Sequence, residues 1–369
     1  MSDEEEDDLG IKPVRAALEE HPATSEGFKY DGPWLTVVTI HCSFQGTVID
    51  SSKANYVVIK LLGEGGFGAV FKDLGGNFRV HDQKDQSKMY AMKVEKKLET
   101  RKHSKLKMEI AILKLVAQER KLSHFTEIID RGKKETYFFL VMELVGKSLA
   151  DLKHHRPGRV FSVSTGLGVS IQCLEACEDL HKYGFIHRDL KPANYACGLR
   201  EKKHIIYILD FGIARKILNE KGELKTPRMT VKFKGTIPFA SISCHRNVEM
   251  GPKDDCESWL YLLIDITFPQ GLLWKALSEK NEVLKMKEEI RKEKREAQFG
   301  NMKCHNEIER IMDYIDSLHY HDHVDYTYIY KLLEEGAIAS GGNVHNPYDW
   351  ETSECQKGSV RMKSAVYQA

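Results

Sequence analysis

Apolar positions change their period along this chain. Tyr56-Val57-Val58-Ile59-Lys60-Leu61-Leu62 is β-branched and apolar, which predicts a strand. After a cluster of glycines, strand character resumes at Ala69-Val70-Phe71, and again over residues 88–95 and 137–144. Residues 105–120 differ: Leu106, Ile110, Leu113 and Ala117 fall on one face of a helix. The first third is therefore predicted to be mostly β with one main helix.

Beyond Val145 the pattern turns helical. Leu167, Ile171, Leu174 and Cys177 share one face of a helix expected to end near Tyr183-Gly184. Short strands are predicted at residues 195–197 and 205–209, and helices at 255–266 and 278–299. The last of these is rich in Glu and Lys and reads as a solvated surface helix. Residues 1–54 form an extension with an acidic start, expected to be partly disordered. Within it, residues 34–40 read equally well as a strand or as a docking peptide. There is no internal repeat.

Composition narrows the class. The 369 residues suit one large two-lobed domain or two ordinary ones. With 55 basic and 54 acidic side chains the formal net charge is +1, so no global field draws the protein to nucleic acid or membrane. The eight cysteines are scattered without a CxxC pair and read as reduced, packed thiols. Cys173 and Cys177 lie one helical turn apart but lack partners at zinc spacing. The acidic N-terminus does not resemble a secretory signal. The apolar stretch 259–268 contains Asp265 and is too short to span a bilayer. A cytoplasmic location is expected, with the nucleus as an additional one.

Four stretches carry chemistry. Gly63, Gly65, Gly68 and Val70 fit G-x-G-x-x-G-x-V between two strands, where bare backbone can approach phosphates; a ligand-free glycine hairpin would look alike. A dinucleotide site would need a helix directly after the glycines, and here a strand follows. Tyr90-Ala91-Met92-Lys93 resembles the V-A-I-K strand, with Glu109 on the next helix as a carboxylate partner; each charge could also simply face solvent. His187-Arg188-Asp189-Leu190-Lys191-Pro192-Ala193-Asn194 matches H-R-D-L-x-x-x-N in full. Asp189 is the candidate to orient a substrate hydroxyl, Asn194 a metal ligand, and Lys191 a charge for a moving γ-phosphoryl group. Asp210-Phe211-Gly212 follows a strand, and Asp210 is the second candidate metal ligand.

In this order the motifs resemble the eukaryotic protein kinase family. Within it the chain is similar to the casein kinase I-like superfamily, through Val141-Met142-Glu143-Leu144-Val145-Gly146-Lys147-Ser148-Leu149, Gly235-Thr236-Ile237-Pro238-Phe239-Ala240-Ser241 and Asp254-Asp255-Cys256-Glu257-Ser258. His245-Arg246-Asn247-Val248-Glu249-Met250-Gly251 and Asp349-Trp350-Glu351 resemble the tau-tubulin kinase branch. The resemblance covers residues 55–352. It implies an α+β, bilobal fold: a small β-rich N-lobe over 55–142, a hinge at 143–146, a mostly helical C-lobe over 147–352 and a tail at 353–369.

The resemblance further implies a Ser/Thr kinase using ATP and Mg2+, with a catalytically weak pseudokinase or scaffold as the alternative. Leu62, Gly63, Gly65, Gly68, Val70, Ala91, Lys93, Met142, Glu143 and Val145 would contact the nucleotide in a cleft between lobes. Thr236 would bond Asp189 from the substrate loop, and Asp255 would hold the catalytic-loop backbone. Protein substrates, a monomeric state, a docking partner for the extension and no nucleic-acid or membrane partner are expected. One position departs from the superfamily: Pro238 stands where an arginine usually helps bind acidic or phosphorylated substrates. Arg228, Lys232, Lys234 and Lys253 could supply a basic patch instead, or could simply be solvated.

Overall fold

The computed structural model describes residues 45–63, 75–97, 104–116 and 123–351. They fall into two compact units. The first comprises the described residues up to Ile110 together with Glu127–Leu144. Its strands are β1 (Val48–Asp50), β2 (Asn55–Gly63), β3 (Gly75–Asp82), β4 (Met89–Lys96), β5 (Ile128–Lys133) and β6 (Tyr137–Glu143), and helix α1 (Lys105–Val116), between β4 and β5, belongs to it up to Ile110 and to the second unit from Ala111. They form an antiparallel sheet in the order β1-β2-β3-β4-β6-β5. Val48 pairs with Val57, so the sheet begins ahead of Asn55.

Alternation along these strands builds the core. Tyr56 and Val58 of β2, Met92 of β4, and Phe139 and Val141 of β6 sit two residues apart within a strand and share one buried face. Tyr56 is the one polar member, and its hydroxyl donates to Asp130 Oδ2 at 3.0 Å. That bond removes the cost of burying an unpaired hydroxyl. Helix α1 starts at Lys105 as the spacing predicts; the expected turn at 117–120 lies outside the described residues.

The second unit holds the rest. It contains α2 (Leu149–His154), α3 (Val163–Lys182), β7 (Phe185–Ile186), β8 (Tyr195–Cys197), β9 (Ile206–Ile208) and β10 (Arg215–Lys216). Helices α4 (Ile242–His245), α5 (Pro252–Thr267), α6 (Lys280–Glu289), α7 (Arg295–Phe299), α8 (His305–Ser317) and α9 (Tyr326–Ala339) follow. Strand β7 pairs with β10, and β8 with β9. Helices α3 and α5 pack together at the centre, tied where Trp259 Nε1 donates to Ser170 O at 2.8 Å. The segment containing α3 is long and apolar enough to cross a membrane, and most of it is buried inside this unit.

Two helix expectations are corrected. The helix expected from Asp255 begins at Pro252, because Gly251 caps it and Asp254 Oδ2 accepts from Gly251 N at 2.8 Å. Asp255 is therefore free of capping duty. The surface helix expected over 278–299 is two helices, and they are not simply solvated: Val283, Lys287, Ile290 and Phe299 are fully buried. Charge-rich composition misled here, since a few widely spaced apolar residues suffice to dock a helix.

The closing Asp349-Trp350-Glu351 has a structural task. Asp349 accepts from the Ser162 amide at 2.8 Å and hydroxyl at 2.7 Å, at the residue that caps α3. Trp350 Nε1 donates to Lys203 O at 3.1 Å, and Glu351 meets His204 at 2.9 Å. The six cysteines among the described residues are buried free thiols.

Candidate active site

In the first unit, Lys93 of β4 donates to Oε2 of Glu109 on α1 at 2.5 Å. Glu109 is buried, and an ion pair so little hydrated is far less screened than one on the surface. Glu95 stands two residues beyond Lys93, on the same face of the strand. Its carboxylate accepts from the amides of Lys105 at 3.1 Å and Leu106 at 2.8 Å, and from the Ser104 hydroxyl at 2.5 Å. Ser104 Oγ in turn accepts from Lys107 N at 3.1 Å. A carboxylate at a helix N-terminus satisfies orphan N–H groups and meets the positive end of the dipole. One strand thus holds α1 at its start and again a turn later, where Glu109 sits.

Sequence reasoning passed over Glu95; its signal was the two-residue spacing from Lys93. Ala91 lies directly across from Met142, and Tyr90 across from Glu143. Leu62 is exposed near the end of β2, and Gly63 is its last residue. Gly65, Gly68 and Val70 lie outside the described residues.

In the second unit the H-R-D stretch follows β7 as a loop. Thr236 Oγ1 donates to Asp189 Oδ1 at 2.7 Å. Lys191 Nζ donates to Asp189 Oδ2 at 2.8 Å and to Thr236 Oγ1 at 2.8 Å. Asn194 Nδ2 donates to Asp189 O at 2.8 Å and to Asp189 Oδ2 at 3.2 Å. A carboxylate is thereby fixed by three side chains drawn from two separate stretches. With the Asn194 amino group committed to Asp189, the amide oxygen is the atom it can offer a cation.

Buried groups hold this loop. Asp255 accepts from His187 N at 2.6 Å and Arg188 N at 2.9 Å, and His181 Nε2 lies 2.9 Å from the same carboxylate. Burial alone would raise the Asp255 pKa, but the hydrogen bond and charge of His181 and the donors at His187 bring it below the usual value. Tyr326 of α9 bonds the other His181 ring nitrogen, so α9 supports the loop through His181 and Asp255. Cys177 is also close, 3.4 Å from His181 Nε2.

His187 packs edge-on against Phe211, which stacks on Phe125. Arg188 and Asp210 both take left-handed backbone, with φ of 71° and 66°. Such strain costs on the order of 1–3 kcal/mol per residue and persists where surroundings impose it. Gly235 approaches just as closely: a Cβ there would stand 2.7 Å from Arg188 O. Glycine is what lets the segment carrying Thr236 lie against the catalytic loop.

The model of the protein kinase domain matches residues 56–322. A Dictyostelium discoideum protein named as a serine/threonine-protein kinase is 31% identical over 81% of this chain, which spans 57% of that protein. The serine/threonine-protein kinase spe-6 of Caenorhabditis elegans is 33% identical, over 72% of this chain and 69% of its own length. A C. elegans protein named as a casein kinase I is 30% identical, over 79% of this chain and 82% of its own. The chain belongs to the protein kinase family. It stands with the serine/threonine kinases of that family, and its β-sheet unit and helical unit are the two lobes of an α+β kinase fold.

In this kinase Arg188, Arg215 and Arg228 are already engaged. Arg228 grips Glu249 through Nε at 2.5 Å and Nη2 at 2.9 Å, and Arg215 Nη2 lies 3.4 Å from the same carboxylate. Glu249 is held below the usual carboxylate range: burial opposes ionisation, and the arginines outweigh it. Arg188 turns its guanidinium onto Ile213 O, and burial, then repulsion from Arg215, lowers its pKa to about 10. Of the basic patch expected from sequence, Arg228 is thus paired with Glu249. Lys253 meets Asp254 at 3.2 Å.

Proposed function

We propose that this kinase transfers the γ-phosphoryl group of ATP to Ser or Thr hydroxyls of protein substrates, with Asp189 orienting the accepting hydroxyl. The observation that carries the reading is the fixed Asp189 carboxylate, bonded by Lys191, Asn194 and Thr236. A hydroxyl that takes the place of one of these donors meets an acceptor already aimed. That saves the cost of ordering the group during reaction. Lys191, adjacent to the same carboxylate, offers positive charge where the γ-phosphoryl group arrives.

Lys93, braced by Glu109, is assigned to the α- and β-phosphates, and the opposed Ala91 and Met142 to the adenine side. Asn194 and Asp210 present hard oxygen donors of the kind Mg2+ prefers, and those residues would hold it. Bound there, Mg2+ supplies charge neutralisation on the phosphates. Lys191 precedes Pro192, which resembles the Ser/Thr-kinase form of this loop, and this supports Ser and Thr as acceptors.

The decisive experiment incubates the full chain with radiolabelled ATP and casein or tubulin, beside Asp189→Asn. Label transfer by the wild type and its near-complete loss in the variant are expected. Equal labelling by both would sink the assignment. A peptide array run on the wild type and on Pro238→Arg tests substrate preference. The wild type is expected to show weak selection for phosphorylated or acidic sites, and the variant to gain it, because Pro238 contributes neither charge nor N–H.

A further inference from the structure

Lys287 is a lysine with no exposed surface, on a helix that composition marks as solvated. Its ammonium group has three N–H bonds and finds three acceptors: Ala240 O at 2.6 Å, Ile237 O at 3.1 Å and His245 Nε2 at 3.2 Å. The rings of Tyr261 and Trp274 lie 4.7 Å and 5.4 Å from it, close enough for cation–π attraction. Among the described residues it makes no salt bridge. The neighbouring carboxylate, Glu257, is taken up by Arg291 at 3.2 Å, the Tyr261 hydroxyl at 2.5 Å and Ile242 N at 3.0 Å. Arg291 also donates to Lys287 O at 2.8 Å, fixing the backbone from which the lysine reaches up.

Burying an ammonium without a carboxylate opposes folding, and a methionine of similar length would fill the space without that cost. Burial lowers the Lys287 pKa to about 7, in keeping with the expense. What the charge supplies is N–H donors aimed at one backbone segment. Trp274 adds another: its Nε1 donates to Pro238 O at 2.8 Å. The carbonyls of Ile237, Pro238 and Ala240 are therefore all drawn inward. Two amides of the same segment, Phe239 and Ala240, turn back onto Thr236 O at 2.9 Å each. Ile237, Pro238 and Phe239 stay half-buried. The segment's first residue is Thr236, which bonds Asp189.

We propose that Lys287 is a positioning residue for phosphoryl transfer: with Trp274 it sets segment 236–240, and through Thr236 it sets where a protein substrate presents its hydroxyl to Asp189. The assignment rests on the kinase reading above. It also gives a reason for Pro238: a loop clamped by its carbonyls from below offers the substrate an apolar edge rather than a charge.

The test compares wild type, Lys287→Met and Trp274→Phe, each checked for a cooperative thermal melt. Assays are run well below the lowest Tm, with protein substrate and separately as ATP hydrolysis without it. Lys287→Met should lose about tenfold in kcat/KM for protein substrate, since small misplacements of reacting groups carry large rate costs. Its KM for ATP and its substrate-free hydrolysis should stay within about twofold of wild type on the same reasoning. Trp274→Phe should show a smaller loss of the same kind, and it serves as the test if Lys287→Met does not fold. A folded variant whose kcat/KM for protein substrate matches wild type, with only its Tm lowered, would make Lys287 purely structural and overturn the proposal. A wild type that hydrolyses ATP yet labels no protein would instead defeat the kinase reading itself.

Discussion

Thr236 gives its hydroxyl hydrogen to Oδ1 of Asp189 at 2.7 Å and receives one from Lys191 at 2.8 Å. Forty-seven positions separate the two partners of the first bond, so it reports the register of the substrate segment on the catalytic loop. Thr236→Val keeps the shape and removes both hydrogen bonds. It should lower kcat by about 10- to 100-fold, in line with the loss of a group that aims a reacting side chain. Thr236→Ser, which restores the hydroxyl, should recover most of the rate. Steady-state kinetics on both variants check this, and equal rates for Val and Ser would remove the hydroxyl from the account.

Glu95 holds the start of α1 while Lys93, two residues earlier, holds Glu109. Glu95→Gln keeps the size but not the charge, and leaves a weaker acceptor for three donors. A cost of about 1 kcal/mol is expected, as for a lost helix cap. Because α1 also presents Glu109, the KM for ATP should rise alongside the fall in Tm. Thermal melts with and without Mg-ATP separate the two effects; a lower Tm with unchanged ATP affinity would confine Glu95 to stability.

Glu249 already pairs with Arg215 and Arg228, so neither arginine needs an added phosphate as its partner. Activity without phosphorylation is expected, and phosphatase treatment should leave the rate essentially unchanged. Glu249→Gln should lower kcat by about tenfold and recover part of that loss as salt rises, because salt screens the repulsion between the freed arginines. Strong inactivation of the wild type by phosphatase would count against a built-in carboxylate.

His245 is buried beside Lys287, and its Nδ1 has no hydrogen-bond partner among the described residues. Burial, then the Lys287 charge, lowers its pKa to about 4 from 6.5. The folded state therefore keeps it neutral, while the unfolded chain takes up a proton below pH 6.5. Stability from this group is complete above pH 6.5 and is lost as pH falls toward 4. Tm should drop across that window, and His245→Gln should flatten the drop. Melts at pH 7 and pH 5 on both proteins decide it; parallel slopes would point to other groups.

The sequence by itself determined which chemistry this chain carries. H-R-D-L-x-x-x-N and D-F-G sit at fixed short spacings, and the backbone of a loop brings such neighbours together whatever else the fold does. Asp189, Lys191 and Asn194 were legible for that reason. Strands β1, β3 and β5 were missed, whereas β2, β4, β6 and α1 were legible too, because alternation and 3.6-residue spacing follow from local geometry. Glu95, Glu249 and Lys287 were not. Each is a charge in an ordinary polar stretch, and nothing local marks it as buried. Lys287 gains its acceptors from residues 42 to 50 positions away, and Glu249 gains Arg228 and Arg215 from 21 and 34. Desolvation is set by what packs over a group, so only the tertiary structure decided that these charges support the site rather than face water.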